Sequence, residues 1–268
     1  MGGNIVNAAV RISSSEMDYI RFGSGSRTLV ILPGLGDGLR TVKGTAMFMA
    51  AGYRMFAKDF TVYAFSRVNE LTKGYTTRQM ARDLSDAMER LGIEKADIFG
   101  VSMGGMIAQH FAADYPEKVN KLVLTVTSAR PNPILTESVA EWINLARQGD
   151  HSAFMESNMR KIYSDGYYQK NKWMIPAIGR LTKPESYDRF FVQADACLTH
   201  DTYDQLHRIS APTLVVGGRK DLALGVESSK EIADKIPNAR LYIYEQWGHG
   251  LYEEAKDFNG MILDFLKE

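Results

Sequence analysis

Short runs of aliphatic and β-branched residues alternate along this chain with runs whose apolar positions recur every three or four residues. Ile5 to Ile12 and Met17 to Phe22 read as a leading antiparallel pair, and Thr28 to Leu32 and Phe60 to Phe65 as further strands. From Thr76 to Leu91 the apolar positions Met80, Leu84, Ala87, Met88 and Leu91 fall at helical spacing, and Gly92 ends the run. Ala96 to Val101 is a short apolar strand, Met103 to Tyr115 a helix closed by Pro116, and Val119 to Val126 another strand. These strands are continuously apolar, the pattern of parallel strands covered on both faces by the helices that join them. The rhythm predicts a mostly parallel, doubly wound α/β sheet.

Between Pro131 and Gln205 that rhythm stops. Patterns such as Val139-Trp142-Ile143-Ala146 and Phe154-Met155-Met159 predict several short helices, so residues 131–205 read as a helical cap inserted after the sixth strand. The core is then 1–130 together with 206–268. Thr213 to Val216 resumes the sheet, Val226 to Ile236 is a helix, Arg240 to Tyr244 the last strand and Glu253 to Leu266 a closing helix.

Composition narrows the function classes. Thirty-two basic residues balance thirty-two acidic ones, which leaves no global field for nucleic acid or an anionic membrane. No run approaches the ~20 apolar residues needed to span a bilayer. The start, Met1 to Val6, lacks a basic segment followed by an apolar one, so the expected location is the cytoplasm. The single cysteine, Cys197, reads as a quiet thiol, and no Cys/His spacing suggests a metal site. Gly23-Ser24-Gly25 precedes its strand and does not complete a dinucleotide fingerprint, so no cofactor is implied.

Gly100-Val101-Ser102-Met103-Gly104 matches G-x-S-x-G directly between a strand and a helix. A tight turn there lifts a hydroxyl out of the sheet, and glycines on either side leave room for it. It also places the Met103 N–H at a helix N-terminus, where partial positive charge can meet a developing oxyanion. A serine hydroxyl needs a base within reach. Of five histidines, His110, His151, His200 and His207 lie within the helix after Ser102 or in the cap and its exit, positions that suit packing or solvent. His249 lies between Gly248 and Gly250 in the loop after the last strand, and is the candidate base. Asp221 follows the strand Thr213 to Val216 and is the candidate acid that orients it. The loop Pro33-Gly34-Leu35-Gly36-Asp37-Gly38 offers a second oxyanion donor, assigned to the N–H of Leu35.

On these residues the chain resembles the α/β-hydrolase fold family, especially its small capped bacterial esterases, enol-lactonases and carbon–carbon bond hydrolases. The resemblance rests on Leu32-Pro33-Gly34-Leu35-Gly36, Gly100-Val101-Ser102-Met103-Gly104-Gly105, Pro212 to Gly218 leading to Asp221, and Gly248-His249. The order Ser, Asp, His is the family's. Two departures stand out: Pro33-Gly34 where members usually carry His-Gly, and Ser66-Arg67-Val68-Asn69-Glu70 without a glycine-rich stretch after the strand. A serine at the elbow implies acyl transfer and not dehalogenation or epoxide opening.

The cap is rich in aromatic and thioether side chains, among them Trp142 and Trp173, assigned as substrate-binding candidates for a small to medium, mostly apolar acyl group. The expected activity is hydrolysis of a carboxylic ester through an acyl-enzyme. A lactonase or a carbon–carbon hydrolase with the same triad, and a ligand receptor on the same scaffold, remain alternatives. The expected partner is a small-molecule ester or lactone.

Overall fold

The computed structural model describes residues 5–268; the opening residues, read above for a leader, lie largely outside them. One sheet of eight strands organises the molecule: β1 (Val6–Ile12), β2 (Ser15–Phe22), β3 (Arg27–Leu32), β4 (Phe60–Val68), β5 (Ala96–Val101), β6 (Val119–Thr125), β7 (Thr213–Gly218) and β8 (Ala239–Tyr244). Their spatial order is β1-β2-β4-β3-β5-β6-β7-β8. β1 and β2 run antiparallel to each other and β2 antiparallel to β4, while every pairing from β4 to β8 is parallel.

The central strands are apolar throughout because each face of the sheet has its own core. Val30, Leu32, Ile98, Leu122 and Leu124 pack with the helices Thr77–Arg90 and Met103–Asp114 on one side. Leu29, Ile31, Phe99, Val101 and Val123 pack with the closing helix Phe258–Lys267 on the other. Alternation along each strand thus feeds both layers.

Local chemistry sets the helix starts. Thr76 and Gln79 form a reciprocal capping box, and Asn132, Asp150 and Ser164 each accept a backbone N–H at the head of a cap helix. The segment between β6 and β7 holds five α-helices, from Pro133–Arg147 to Asp188–Leu198, so the cap stands after the sixth strand.

Three elements differ from the sequence expectation. β4 runs on to Val68 and buries Ser66 and Arg67, polar residues that make it look shorter. The closing helix is two pieces, Leu251–Glu254 and Phe258–Lys267, because Ala255 adopts an extended conformation between them. The helix Ala46–Gly52 goes unpredicted because Met47 and Phe48 point into solvent, Phe48 at 83% exposure, which hides any buried stripe.

Candidate active site

Loops from the carboxyl ends of four parallel strands meet above the sheet, where β3 leads to β4 on one side while β5 lies on the other. Ser102 directly follows β5 at φ 53° and ψ −121°, a strained conformation for a residue with a side chain. Its N–H donates to the Thr125 carbonyl at 2.9 Å, and its own carbonyl accepts from the Gly105 N–H and the Thr127 hydroxyl, both at 2.8 Å. Close packing holds the turn: a Cβ on Gly100 would lie 2.6 Å from the Gly104 carbonyl oxygen, and one on Gly104 only 1.9 Å from that of Leu32. Strand, turn and helix touch backbone to backbone, so the serine hydroxyl is the part left to project.

His249 and Asp221 stand on the loops after β8 and β7. His249 Nδ1 lies 2.8 Å from Asp221 Oδ2, with both side chains buried. The second carboxylate oxygen accepts the N–H groups of Ala223 and Leu224 at 2.8 and 2.9 Å. Asp221 is therefore fixed by its own loop, and its acceptor places the imidazole proton on Nδ1, which leaves the Nε2 lone pair available. The His249 loop is also tied to the cap, since the Gly250 N–H donates to the Ile162 carbonyl at 2.6 Å and Ser164 donates from N and Oγ to Glu254.

Ser102 and His249 line one cleft of about 430 Å³, together with Gly34, Leu35, Trp142 and Phe154. A larger depression of about 660 Å³ beside β8 is lined by none of these groups. Leu35 opens the short turn Leu35–Gly38 and Met103 opens the helix after Ser102, so neither N–H has an acceptor within its own element. Trp142 is 6% exposed, and its indole N–H has no protein partner. Trp173, the other cap tryptophan singled out, is 77% exposed and is not part of the cleft wall, because its short turn Lys172–Met174 faces outward.

Three of the remaining histidines are committed elsewhere, and His207 is exposed. His110 and His200 meet edge-on at 5.1 Å, and His200 contacts the hydroxyls of Thr77 and Thr202. Burial holds both imidazoles below their ordinary value, His110 at about 4. His151 contacts the Tyr187 hydroxyl at 2.6 Å. Cys197 is buried, and that burial pushes its thiol up to about 12. Among the described residues no cluster of His, Cys, Asp and Glu has the form of a metal site, and no helix is long and apolar enough to cross a membrane.

One feature of the site escapes a reading of the sequence. Beneath the loop after β3 lies a polar group in which the buried Asp37, Arg67 and Gln193 meet the half-buried Arg189. The only local signals are an arginine at the end of an apolar strand and an aspartate amid glycines.

Comparison with known proteins agrees with the architecture. A family profile described as the alpha/beta hydrolase fold matches residues 27–256. The 2-hydroxy-6-oxononadienedioate/2-hydroxy-6-oxononatrienedioate hydrolase of Paraburkholderia phymatum is 30% identical, with 94% of this chain and 91% of that protein covered. The 2-hydroxy-6-oxo-6-phenylhexa-2,4-dienoate hydrolase of Comamonas testosteroni is 28% identical, covering 96% and 93%. The enol-lactonase structure from Burkholderia xenovorans superposes with a TM-score of 0.82 at 22% identity, over 97% of this chain and 100% of that one. This chain is a hydrolase and belongs to the α/β-hydrolase fold family.

Proposed function

We propose that the chain is a cofactor-independent serine hydrolase in which Ser102 is the nucleophile, His249 the general base and Asp221 the group that orients the histidine. The observation that carries this reading is the buried His249–Asp221 contact of 2.8 Å opening, with Ser102, on a single cleft. In the first step Ser102 Oγ bonds to the acyl carbon of an ester while its proton passes to His249 Nε2. The bond to the alcohol then breaks, and the alcohol leaves with that proton. Water, deprotonated by His249, next attacks the acyl carbon; the serine oxygen takes the proton back and the acid departs. The N–H groups of Met103 and Leu35 hold the oxyanion in both halves.

Trp142 and Phe154 give the cleft an apolar wall suited to a small to medium, uncharged acyl group. A second reading is favoured by the relatives from Paraburkholderia and Comamonas, whose named substrates are 6-oxo-dienoates. With those compounds the same serine attack falls on the 6-oxo carbon; the carbon–carbon bond breaks, the leaving carbon takes the proton held on His249, and water releases the acid from Ser102 as before.

Steady-state turnover of a chain-length series of p-nitrophenyl esters, a lactone and a 2-hydroxy-6-oxo-dienoate separates the readings. The first predicts ester turnover that Ser102→Ala removes and that Asp221→Asn lowers by about 10³–10⁴ in kcat. Turnover of the dienoate far above the esters selects the second. Ester turnover that survives Ser102→Ala contradicts both.

A further inference from the structure

The loop after β3 supplies one of the two proposed oxyanion donors, yet little of what holds its shape belongs to it. Asp37, buried in that loop, accepts on Oδ2 from Arg189 Nη2 at 2.7 Å, from Gln193 Nε2 at 3.1 Å and from the Arg67 backbone N–H at 3.3 Å. Arg189 Nε donates to the Asp37 carbonyl at 3.1 Å. The same guanidinium reaches the carbonyls of Val68 and Arg67 at the end of β4, at 2.5 and 3.0 Å. Arg67 Nη2 closes the other end of the loop by donating to the Pro33 carbonyl at 2.6 Å. Above this, Gly38 lies directly under Phe190, whose Cα would be 2.8 Å from a Cβ at that position. Arg189, Phe190 and Gln193 all belong to the cap helix Asp188–Leu198.

Buried ion pairs of this kind are poor sources of stability, because desolvation consumes most of the attraction and apolar packing does as well. What they do supply is direction. Arg189 presents its planar fork to the side chain and the carbonyl of one residue, Asp37, two positions from Leu35. The Asp37 N–H donates to the Gly34 carbonyl at 3.2 Å, so the turn that aims the Leu35 N–H is pinned through Asp37.

We propose that Arg189 is a positioning residue for the oxyanion hole: it grips Asp37 from the cap, so that the Leu35 N–H is aimed only while the helix Asp188–Leu198 is seated. The inference rests on the reading of Ser102 as nucleophile. It makes the cap part of the catalytic geometry as well as the wall of the cleft.

The test compares wild type, Arg189→Met and Arg189→Lys in p-nitrophenyl butyrate turnover. Alongside, it measures inhibition by butane-1-boronic acid, which becomes tetrahedral and anionic on a serine, and by butyramide, which stays planar. Misaiming one oxyanion donor lowers kcat for Arg189→Met by about tenfold to a hundredfold while KM changes less than about threefold. Boronate affinity falls in parallel with kcat and butyramide affinity does not. Arg189→Lys keeps the charge, loses the fork and sits between, and guanidinium ion added to Arg189→Met restores part of kcat. If the methionine variant does not fold, the lysine variant is judged by the same split. Wild-type kcat in a folded variant, or equal loss of boronate and butyramide affinity, overturns the proposal. Turnover that does not depend on Ser102 removes the reading beneath it, and is recognised separately with Ser102→Ala.

Discussion

The two backbone N–H groups proposed to hold the oxyanion are built in opposite ways. Met103 is placed by its own turn, a strained serine and two glycines within residues 100–105, whose backbone packs on the adjoining strand β3 and bonds to Thr125 at the end of β6. Leu35 is placed from a distance, by an aspartate in its own turn that is gripped by Arg67, 30 residues on, and by Arg189, 152 residues on. The first half needs only the turn and the strands beside it, whereas the second exists only once sheet and cap have assembled.

The largest effect should come from attacking the local half. Gly104→Ala drives a methyl group into the Leu32 carbonyl, which belongs to β3 and cannot move aside. It should destabilise the protein by about 4 kcal/mol or more in urea unfolding and abolish labelling of Ser102 by a fluorophosphonate. Attacking the remote half should cost somewhat less. Asp37→Leu leaves the buried Arg67 and the half-buried Arg189 without their carboxylate, a loss of about 3–5 kcal/mol in the same measurement. An Asp37→Leu protein as stable as wild type would mean that the ion group does not hold the loop.

Acid should separate the remote half from the cap exit, because the two titrate in different windows. Burial alone raises the Asp37 carboxyl, but the charges of Arg67 and Arg189 outweigh it and hold the group below its ordinary value of 3.8. Its contribution is therefore complete above that value and is lost as pH falls through the lower, folded one. His110 and His200 act earlier. Burial depresses both below 6.5, His110 to about 4, so the unfolded chain binds more protons between those limits and stability falls as pH drops from about 6.5 to about 4. Thermal midpoints across pH should show this slope, and His110→Phe combined with His200→Gln should flatten it. A slope unchanged in the double variant would assign it to other groups.

The smallest effect is expected at exposed ion pairs. Arg78 and Asp114 lie 2.8 Å apart on the surface, where solvent screens them, and Arg78→Ala should leave both turnover and the urea midpoint unchanged. A clear loss there would show that distance from the cleft is not what protects activity.

The same contrast explains what a reading of the sequence could reach. The sheet was legible because its central strands are buried on both faces and its helices carry one apolar stripe, and the placing of Ser102, Asp221 and His249 at one edge of the sheet was legible because Ser102 follows directly on β5 while the other two stand in the loops after β7 and β8. Asp37 and Arg189 were not, since a bond between residues so far apart leaves no local pattern. Trp173 was misplaced for a related reason: composition shows that the cap is rich in aromatic residues, but only packing decides which of them face the cleft.

The most direct test of the account is to treat wild type and Ser102→Ala with a fluorophosphonate and locate the adduct by peptide mass spectrometry. A single adduct on Ser102 is expected in wild type, formed at a rate that falls when His249 is replaced by alanine, and none in Ser102→Ala. An adduct on another residue, or labelling that persists without Ser102, would contradict it.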